Sequence, residues 1–595
     1  MLKFLKRIGS KWWLLALLIL AVIVNVMMDC LLPIELGQVI KHLSDPSSID
    51  PSKLPSEITQ TMLITQIAFD AFKMILIALL SGAANILTCR LSSKLTAHII
   101  SQVRYELYKK IQSFSLEEMN RFSVSSLVTR STNDLTFVEN TFNLFFRFIM
   151  YGPLIAVLAM VALTAIQIWQ LTVTIGAALV IMLAFMIILI KVTIPKYQAI
   201  QARLDKVNLV TRENLEGLRV VRAYNAEEYQ VNKFHGVNEV LMKTEKFSNK
   251  SLGILMPGIQ LIVGLLNVAL YVVSSQLIVV DGSMDYQNLS VVIQYAALIL
   301  IGFILLTYVI MQLPRCMVCA KRVNEVIETE PSIVGADKEV ATTEVGTIEF
   351  KDVSFAYPGA EKPVLEHVSF KVKQGETIAF IGATGAGKTT LINLLPRFFD
   401  TTEGEVLIDG VNVKQYPIEQ LNGKFGYVPQ KGYLFHASLL QNITIGKPNA
   451  GAADVKRALE IAQATEFVDK LPGGINYEIS QGGKNVSGGQ RQRLCIARAI
   501  IMNPEIFIFD DSFSALDYRT DQVLRGEISK QCKGITNVIV AQRVGTIMNA
   551  DQIVVLDEGK VMGIGKHADL LKNCPVYKEI ALSQLSEEEL KNGSK

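Results

Sequence analysis

The sequence predicts a multi-domain chain: an all-α half of six membrane-crossing helices, followed by an α/β half with a phosphate-loop nucleotide fold. Half of the 595 residues are hydrophobic, although only 19% are charged. The apolar residues gather into long stretches up to about residue 315, then give way after about 346 to short apolar runs, glycine-rich turns and charged helices. In that second half Thr377–Ile381 reads as a strand running into Gly382-Ala383-Thr384-Gly385-Ala386-Gly387-Lys388-Thr389-Thr390.

Six stretches reach the ~20 mostly apolar residues that a helix needs to cross a bilayer. They are 13–36, 68–89, 146–168, 171–193, 255–280 and 289–313. Only the polar break Gln167–Gln170 parts the third from the fourth, so these two form a helical hairpin. The first follows Lys3, Lys6, Arg7 and Lys11, but it is too long for the apolar core of a signal peptide and lacks a small-residue cleavage site, which predicts an uncleaved span.

Orientation comes from the loops. The basic start, the loop at 90–145 (Arg90, Lys94, Arg104, Lys109, Lys110) and the loop at 194–252 are rich in Lys and Arg, whereas Asp281–Asn288 has two Asp and no basic residue. The positive-inside rule puts the N-terminus, both long loops and the second half in the cytoplasm. A net charge of +3 calls for no nucleic-acid partner. Seven cysteines without paired spacing suit a reducing compartment. Cys316 and Cys319 form a lone CxxC with no further ligands nearby, and read as small apolar helix residues. The expected organisation is a membrane domain over 1–320, a linker over 321–345, a nucleotide-binding domain over 346–582 and a polar tail over 583–595.

Strand, glycine loop and helix stand in the order that the G-x-x-x-x-G-K-[ST] motif requires. Its backbone amides wrap ATP phosphates, Lys388 supplies positive charge, and Thr389 offers a hydroxyl to Mg²⁺. A second run, Ile506-Phe507-Ile508-Phe509, ends in Asp510, as a buried parallel strand does when it delivers a carboxylate to the Mg²⁺ shell. Just upstream, Val486-Ser487-Gly488-Gly489-Gln490 opens a helix and exposes amides and a hydroxyl to an anion.

With this signature about a hundred residues after the phosphate loop, the chain resembles the ATP-binding cassette (ABC) transporters, over nearly its whole length. The resemblance implies ATP and Mg²⁺ as cofactors, with Thr389, Gln430 and Asp510 around the metal. It implies that Tyr357 stacks on adenine and that Ser487, Gly488, Gly489 and Gln490 clamp the ATP held by an opposite cassette. Ser514-Ala515-Leu516-Asp517 matches the loop that links two cassettes. Ser126–Asp134 and Glu213–Tyr224 look like cytoplasmic-loop segments whose tips press on the cassettes. One chain with six spans and one cassette is then a half-transporter of the exporter type, working as a dimer in a bacterial cell membrane.

Two positions depart from the family pattern. Asp511 stands where a glutamate base is usual, and Gln542 where a histidine is usual. Aspartate is one methylene shorter, so its carboxylate is expected about an ångström too far from the attacking water, an error that costs ~100-fold in rate. Glutamine can donate to the γ-phosphate but cannot carry charge or shuttle a proton. The pair implies an ATP site kept for binding, and a second, homologous half-transporter with glutamate and histidine in these places.

Cargo is less defined. Tyr151, Gln260, Asn267, Gln294 and Tyr295 are polar or aromatic positions inside spans, able either to line a cavity or to bond between helices. Asp29 is an ionisable residue within the first span and a functional candidate by default, or a solvated residue near its outer end. The Met27-Met28 and Met182–Met186 stretches read as packing. Hydrophobic or amphipathic drugs or lipids are the expected cargo. A peptide exporter, a homodimeric lipid flippase and a non-transporting ATPase module are the alternatives, the last opposed by the six spans.

Overall fold

The computed structural model describes residues 4, 6–45, 48, 60–165 and 168–585; Lys3, Gln167 and residues 586–595 of the polar tail lie outside the described residues. The chain divides into two compact units, Met1–Gln112 with Ser125–Thr329, and Ser113–Val124 with Glu330–Lys595.

In the first unit, six helices among the described residues are long and apolar enough to cross a membrane: Trp12–Ser44, Gln60–Gln112, Val124–Thr164, Trp169–Leu189, Leu255–Val280 and Tyr286–Glu328. The stretch 90–112, expected as loop, is helix, because the second span continues unbroken over the 53 residues Gln60–Gln112. No glycine or proline interrupts 90–112, and its Leu, Lys and Glu residues favour helix as well outside the bilayer as the apolar residues do inside. At 1.5 Å per residue this helix is about 80 Å long, against a hydrocarbon core of about 30 Å.

The first span packs along the second, and the third along the sixth. Polar bonds tie them. Asp29 accepts from Ser81 Oγ of the second span at 2.6 Å and from the Tyr151 hydroxyl of the third at 2.8 Å. Tyr295 of the sixth donates to the Cys30 carbonyl at 2.8 Å. Asp29 is thus anchored to two neighbouring helices rather than simply solvated. Between the end of the first span and the start of the second, buried Asp70 accepts from Lys73 at 3.0 Å and meets His42 Nδ1 at 2.9 Å. Met182 and Met186 are buried packing residues, and Cys316 and Cys319 are buried free thiols.

The second unit holds the sheets. Strands β1 (Ile348–Phe355), β2 (Leu365–Val372), β4 (Glu403–Ile408) and β5 (Val411–Asn412) form an antiparallel sheet in the order β2-β1-β4-β5. Strands β3 (Thr377–Gly382), β6 (Phe425–Val428), β9 (Ile506–Asp510), β10 (Thr536–Val540), β11 (Gln552–Asp557) and β12 (Lys560–Gly565) form the order β12-β11-β3-β10-β9-β6. A short pair, β7 (Ala437–Ser438) with β8 (Glu478–Ile479), stands apart. Strands β6, β9, β10, β3 and β11 run parallel, and only β12 is antiparallel.

Both faces of this sheet are covered, which is why its strands are continuous apolar runs rather than alternating ones. Ile378, Phe380, Ile506, Ile508, Val538 and Val540 join the core beneath the antiparallel sheet. Ala379, Ile381, Phe507, Phe509 and Ile539 face a second core with Leu494, Ile496 and Ala497 of the helix Gly488–Ile501. The helix Lys388–Asn393 follows β3 directly.

An ion triad joins the two sheets. Lys424, just before β6, donates to Asp409 Oδ2 at 2.6 Å and to Glu505, just before β9, at 2.8 Å. Lys424 and Asp409 are both buried. Replacing the lysine, as in Lys424→Met, leaves two carboxylates without their cation and should destabilise this half by about 3–5 kcal/mol. Faster hydrogen exchange at the amides of β6 and β9 is the expected readout; unchanged protection would refute it.

Candidate nucleotide site

The parallel register places three strand ends side by side. Val540 pairs with both Phe380 and Asp510, so β3, β10 and β9 deliver the phosphate loop, Ala541-Gln542 and Asp510-Asp511 to one edge of the sheet. These residues are far apart in sequence and are brought together by the sheet.

Gly387 has φ +93°, and a Cβ there would meet Leu365 Cδ2 at 2.8 Å and the Val364 carbonyl at 3.0 Å, so only glycine serves. At Gly382 a Cβ would collide with the Leu556 carbonyl. Ala383, Thr384 and Gly385 are exposed at the loop's crest, while Ala386, Gly387 and Thr390 are buried beneath it. Lys388 Nζ donates to the Gly382 and Ala383 carbonyls at 2.8 and 2.7 Å. Burial lowers the Lys388 pKa from its ordinary 10.5, against the opposing charges of Asp511 and Asp510.

Thr389 Oγ1 donates to Asp510 Oδ1 at 3.2 Å. A hydroxyl beside a carboxylate is a hard-oxygen donor pair of the kind Mg²⁺ takes together with phosphate oxygens and water. Burial raises the Asp510 carboxyl above its ordinary value, the Thr389 bond opposes this, and the Asp511 charge adds to it. Bound Mg²⁺ would supply charge neutralisation for the phosphates, with Thr389 and Asp510 as its protein ligands.

Asp511 is buried and adopts φ 47°, the left-handed region that aspartate tolerates better than most residues. Its Oδ2 accepts from Gln542 Nε2 at 2.8 Å and from Gln430 Nε2 at 3.3 Å. Gln430, which sequence reasoning sets by the metal, therefore has its amide on Asp511, while Thr389 is the residue bonded to Asp510. Gln584, which sequence reasoning missed, holds the turn after β10: its amide donates to the Gln542 carbonyl and its oxygen accepts from Val544 N, both at 2.8 Å. No local motif marks Gln584, which lies at the end of the last described helix, Pro575–Gln584.

The remaining positions spread out. Tyr357 bonds Thr390 Oγ1 at 2.9 Å and packs edge-on to Phe355 and Phe399. Ser487 caps the helix Gly488–Ile501 in a reciprocal box with Gln490. Ser487 and Gly488 are exposed, whereas Gly489 and Gln490 are half-buried. In the membrane unit Gln260 is exposed, Asn267 and Gln294 are half-buried, Tyr151 is bonded to Asp29, and Tyr295 is buried at 1% exposure.

Residues 15–304 match the ABC transporter transmembrane region, and residues 365–514 match the ABC transporter family. The chain is 34% identical over 554 residues to the uncharacterized ABC transporter ATP-binding protein YfiB of Bacillus subtilis, covering 90% of this chain and 95% of that protein. This chain belongs to the ABC transporters. An ATP-dependent lipid A-core flippase of Haemophilus influenzae is 28% identical over 524 residues, covering 87% of this chain and 88% of that protein. The structure of a bacterial Atm1-family ABC exporter with ATP bound shares the fold, with TM-score 0.77 at 23% identity over 97% of this chain and 99% of that one.

The protein is an ABC exporter half-transporter and an ATP-hydrolysing, multi-pass membrane protein, with its ATPase domain in the cytoplasm. Because Lys388 is charged only below its lowered pKa, ATP affinity should fall on the alkaline side at a pH below the ordinary lysine range. Titrating ATP binding against pH tests this, with Lys388→Arg expected to hold its affinity further into alkali.

Proposed function

We propose that this ABC exporter is the unequal member of a heterodimer, binding ATP in a slow site of its own and lending its signature to a fast site built on the partner. The observation that carries this is the Asp511 carboxylate. One of its two oxygens, Oδ2, is held by the Gln542 and Gln430 amides, which fixes a carboxylate already one methylene short and leaves Oδ1 to accept from water. Gln542 cannot take up a proton to change that. The helix cap formed by Ser487 and Gln490, by contrast, matches the family pattern, so a signature presented to a partner's ATP is retained.

ATP held by the phosphate loop, by Lys388 and through Mg²⁺ by Thr389 and Asp510 glues two cassettes together. Hydrolysis at the partner's site, with its glutamate and histidine, resets the cycle. The cargo is a hydrophobic or amphipathic small molecule, a drug or a lipid, moved outward across the bilayer. The lipid A-core flippases among the relatives favour a second reading, a lipid flippase made of two copies of this chain.

The two readings separate by experiment. In the heterodimer Asp511→Ala changes steady-state ATPase little, whereas mutating the partner's base removes most of it, and Asp511→Glu with Gln542→His raises turnover at this site by ~100-fold. A large loss from Asp511→Ala, or full activity from this chain purified alone, would overturn the unequal pair and favour two equal copies.

A further inference from the structure

Asp29 lies among the polar bonds of the membrane unit, and its charge is not answered there. Ser81 Oγ donates to its Oδ1 at 2.6 Å and the Tyr151 hydroxyl to its Oδ2 at 2.8 Å. Both donors are neutral. An ionised carboxylate only accepts, and one donor aimed at each oxygen suits that form. Ser81 Oγ also donates to Asn25 Oδ1 at 3.2 Å, so one hydroxyl proton serves two acceptors and lone pairs are left over on Asp29.

The other carboxylates of the first two apolar stretches have a cation. Asp70 pairs with Lys73 at 3.0 Å and meets His42 at 2.9 Å, and Glu35 stands 3.9 Å from Lys73. Asp29 has no ion-pair partner among the described residues, and the cations on the helices around it are engaged or distant. On the second span Lys73 and Arg90 lie eight and nine residues from Ser81, about 12 and 14 Å along the helix axis. On the third, Arg147 is one turn from Tyr151, with its guanidinium over the Phe148 ring at 5.0 Å from the centroid. Lys11 of the first meets His98 at 3.1 Å, and Arg315 of the sixth lies over the Phe137 ring at 4.2 Å.

Joining helices does not account for a charge at this place. Neutral groups do that work beside it, Ser81 with Asn25 and Tyr295 with the Cys30 carbonyl. A carboxylate inside a span is costly to keep and marks a functional position. It is also within reach. Asp29, Ser81 and Tyr151 are half-buried, unlike Asp70 at 1% exposure, and a Cβ on Gly82, next to Ser81, would meet nothing within 4 Å.

We propose that Asp29 is the counter-charge of a cargo site, and that its cargo is an amphipathic organic cation, a single quaternary or protonated nitrogen or a phosphonium on an apolar body. This rests on the reading of the chain as an exporter of hydrophobic or amphipathic small molecules, and narrows it. Asp29 meets the cation through the lone pairs its donors leave free, while Ser81 and Tyr151 are positioning residues that hold the carboxylate in place. Away from water a fixed charge acts more strongly, so the site favours a cation over a neutral or anionic body of the same shape. Phosphate-bearing lipids are thereby disfavoured.

The test is equilibrium dialysis with the complete transporter in phosphatidylcholine nanodiscs, binding to empty discs subtracted. The probes are tetraphenylphosphonium and tetraphenylborate, ions of opposite charge and nearly the same shape, and uncharged Nile red. The native protein should bind the phosphonium roughly ten-fold or more tighter than the borate. Asp29→Asn should weaken phosphonium binding by roughly ten-fold or more while Nile red binding changes less than about two-fold, and Asp29→Glu should restore most of it. A purely structural Asp29 would lower all three together. Should Asp29→Asn fail to fold, Asp29→Ser carries the same expectation. Equal binding of the two ions, tighter binding of the borate, or a neutral variant that still prefers the phosphonium would overturn the counter-charge alone, since Nile red binding would keep the small-molecule reading. A native protein that binds none of the three would overturn that reading as well.

Discussion

The parallel pairing of β3, β10 and β9 is the constraint on which the rest of the nucleotide site depends. Parallel strands end on the same side of a sheet, so whatever follows each of them is brought to one edge. Phe380, Val540 and Asp510 lie in register, so the segments that follow them within two residues, the phosphate loop from Gly382, Ala541-Gln542 and Asp511, come to one edge. Moving one strand by a residue would exchange its two faces and put Phe507 and Phe509 where Ile506 and Ile508 now pack. The apolar cores on both faces fix the chemistry above them by forbidding that slip.

Within this frame the site is electrostatically uneven. Asp510 accepts from Thr389, with burial and a neighbouring charge opposing its ionisation and a hydroxyl supporting it. Asp511 is the immediate neighbour, yet its carboxylate turns to two amides. The left-handed backbone at Asp511 and the grip of Gln584 on the Gln542 turn bring these groups together, so the short side chain is matched by a partner of suitable reach. A shortened acid and an uncharged amide are bonded to each other through Oδ2.

The membrane half follows a different economy. Lipid offers no hydrophobic reward for bringing helices together, so packing and polar bonds must do it. Asp29 bonded to Ser81 and Tyr151, and Tyr295 bonded to the Cys30 carbonyl, join four of the six spans. Such bonds also consume candidates for cargo contact: Tyr295 is buried among helices, and Tyr151 spends its hydroxyl on Asp29. Gln260, Asn267 and Gln294 retain partial or full exposure.

Much of the fold was legible because its signals are local. Six apolar stretches, a strand running into Gly382–Thr389, and Ser487-Gly488-Gly489-Gln490 at a helix start each need only neighbouring residues to be read. The sequence by itself also determined that Asp511 and Gln542 are of unusual type, since residue identity needs no coordinates. Only the tertiary structure decided what those side chains touch, that Gln430 shares Asp511 with Gln542, that Gln584 holds the turn, and that Asp29 reaches Tyr151. It also decided that 90–112 is continuous helix, because hydropathy marks where a bilayer lies and not where a helix ends. For the side-chain contacts the physical reason is shared: hydrogen bonds between segments tens to hundreds of residues apart depend on where packing puts the backbone, which no local pattern encodes.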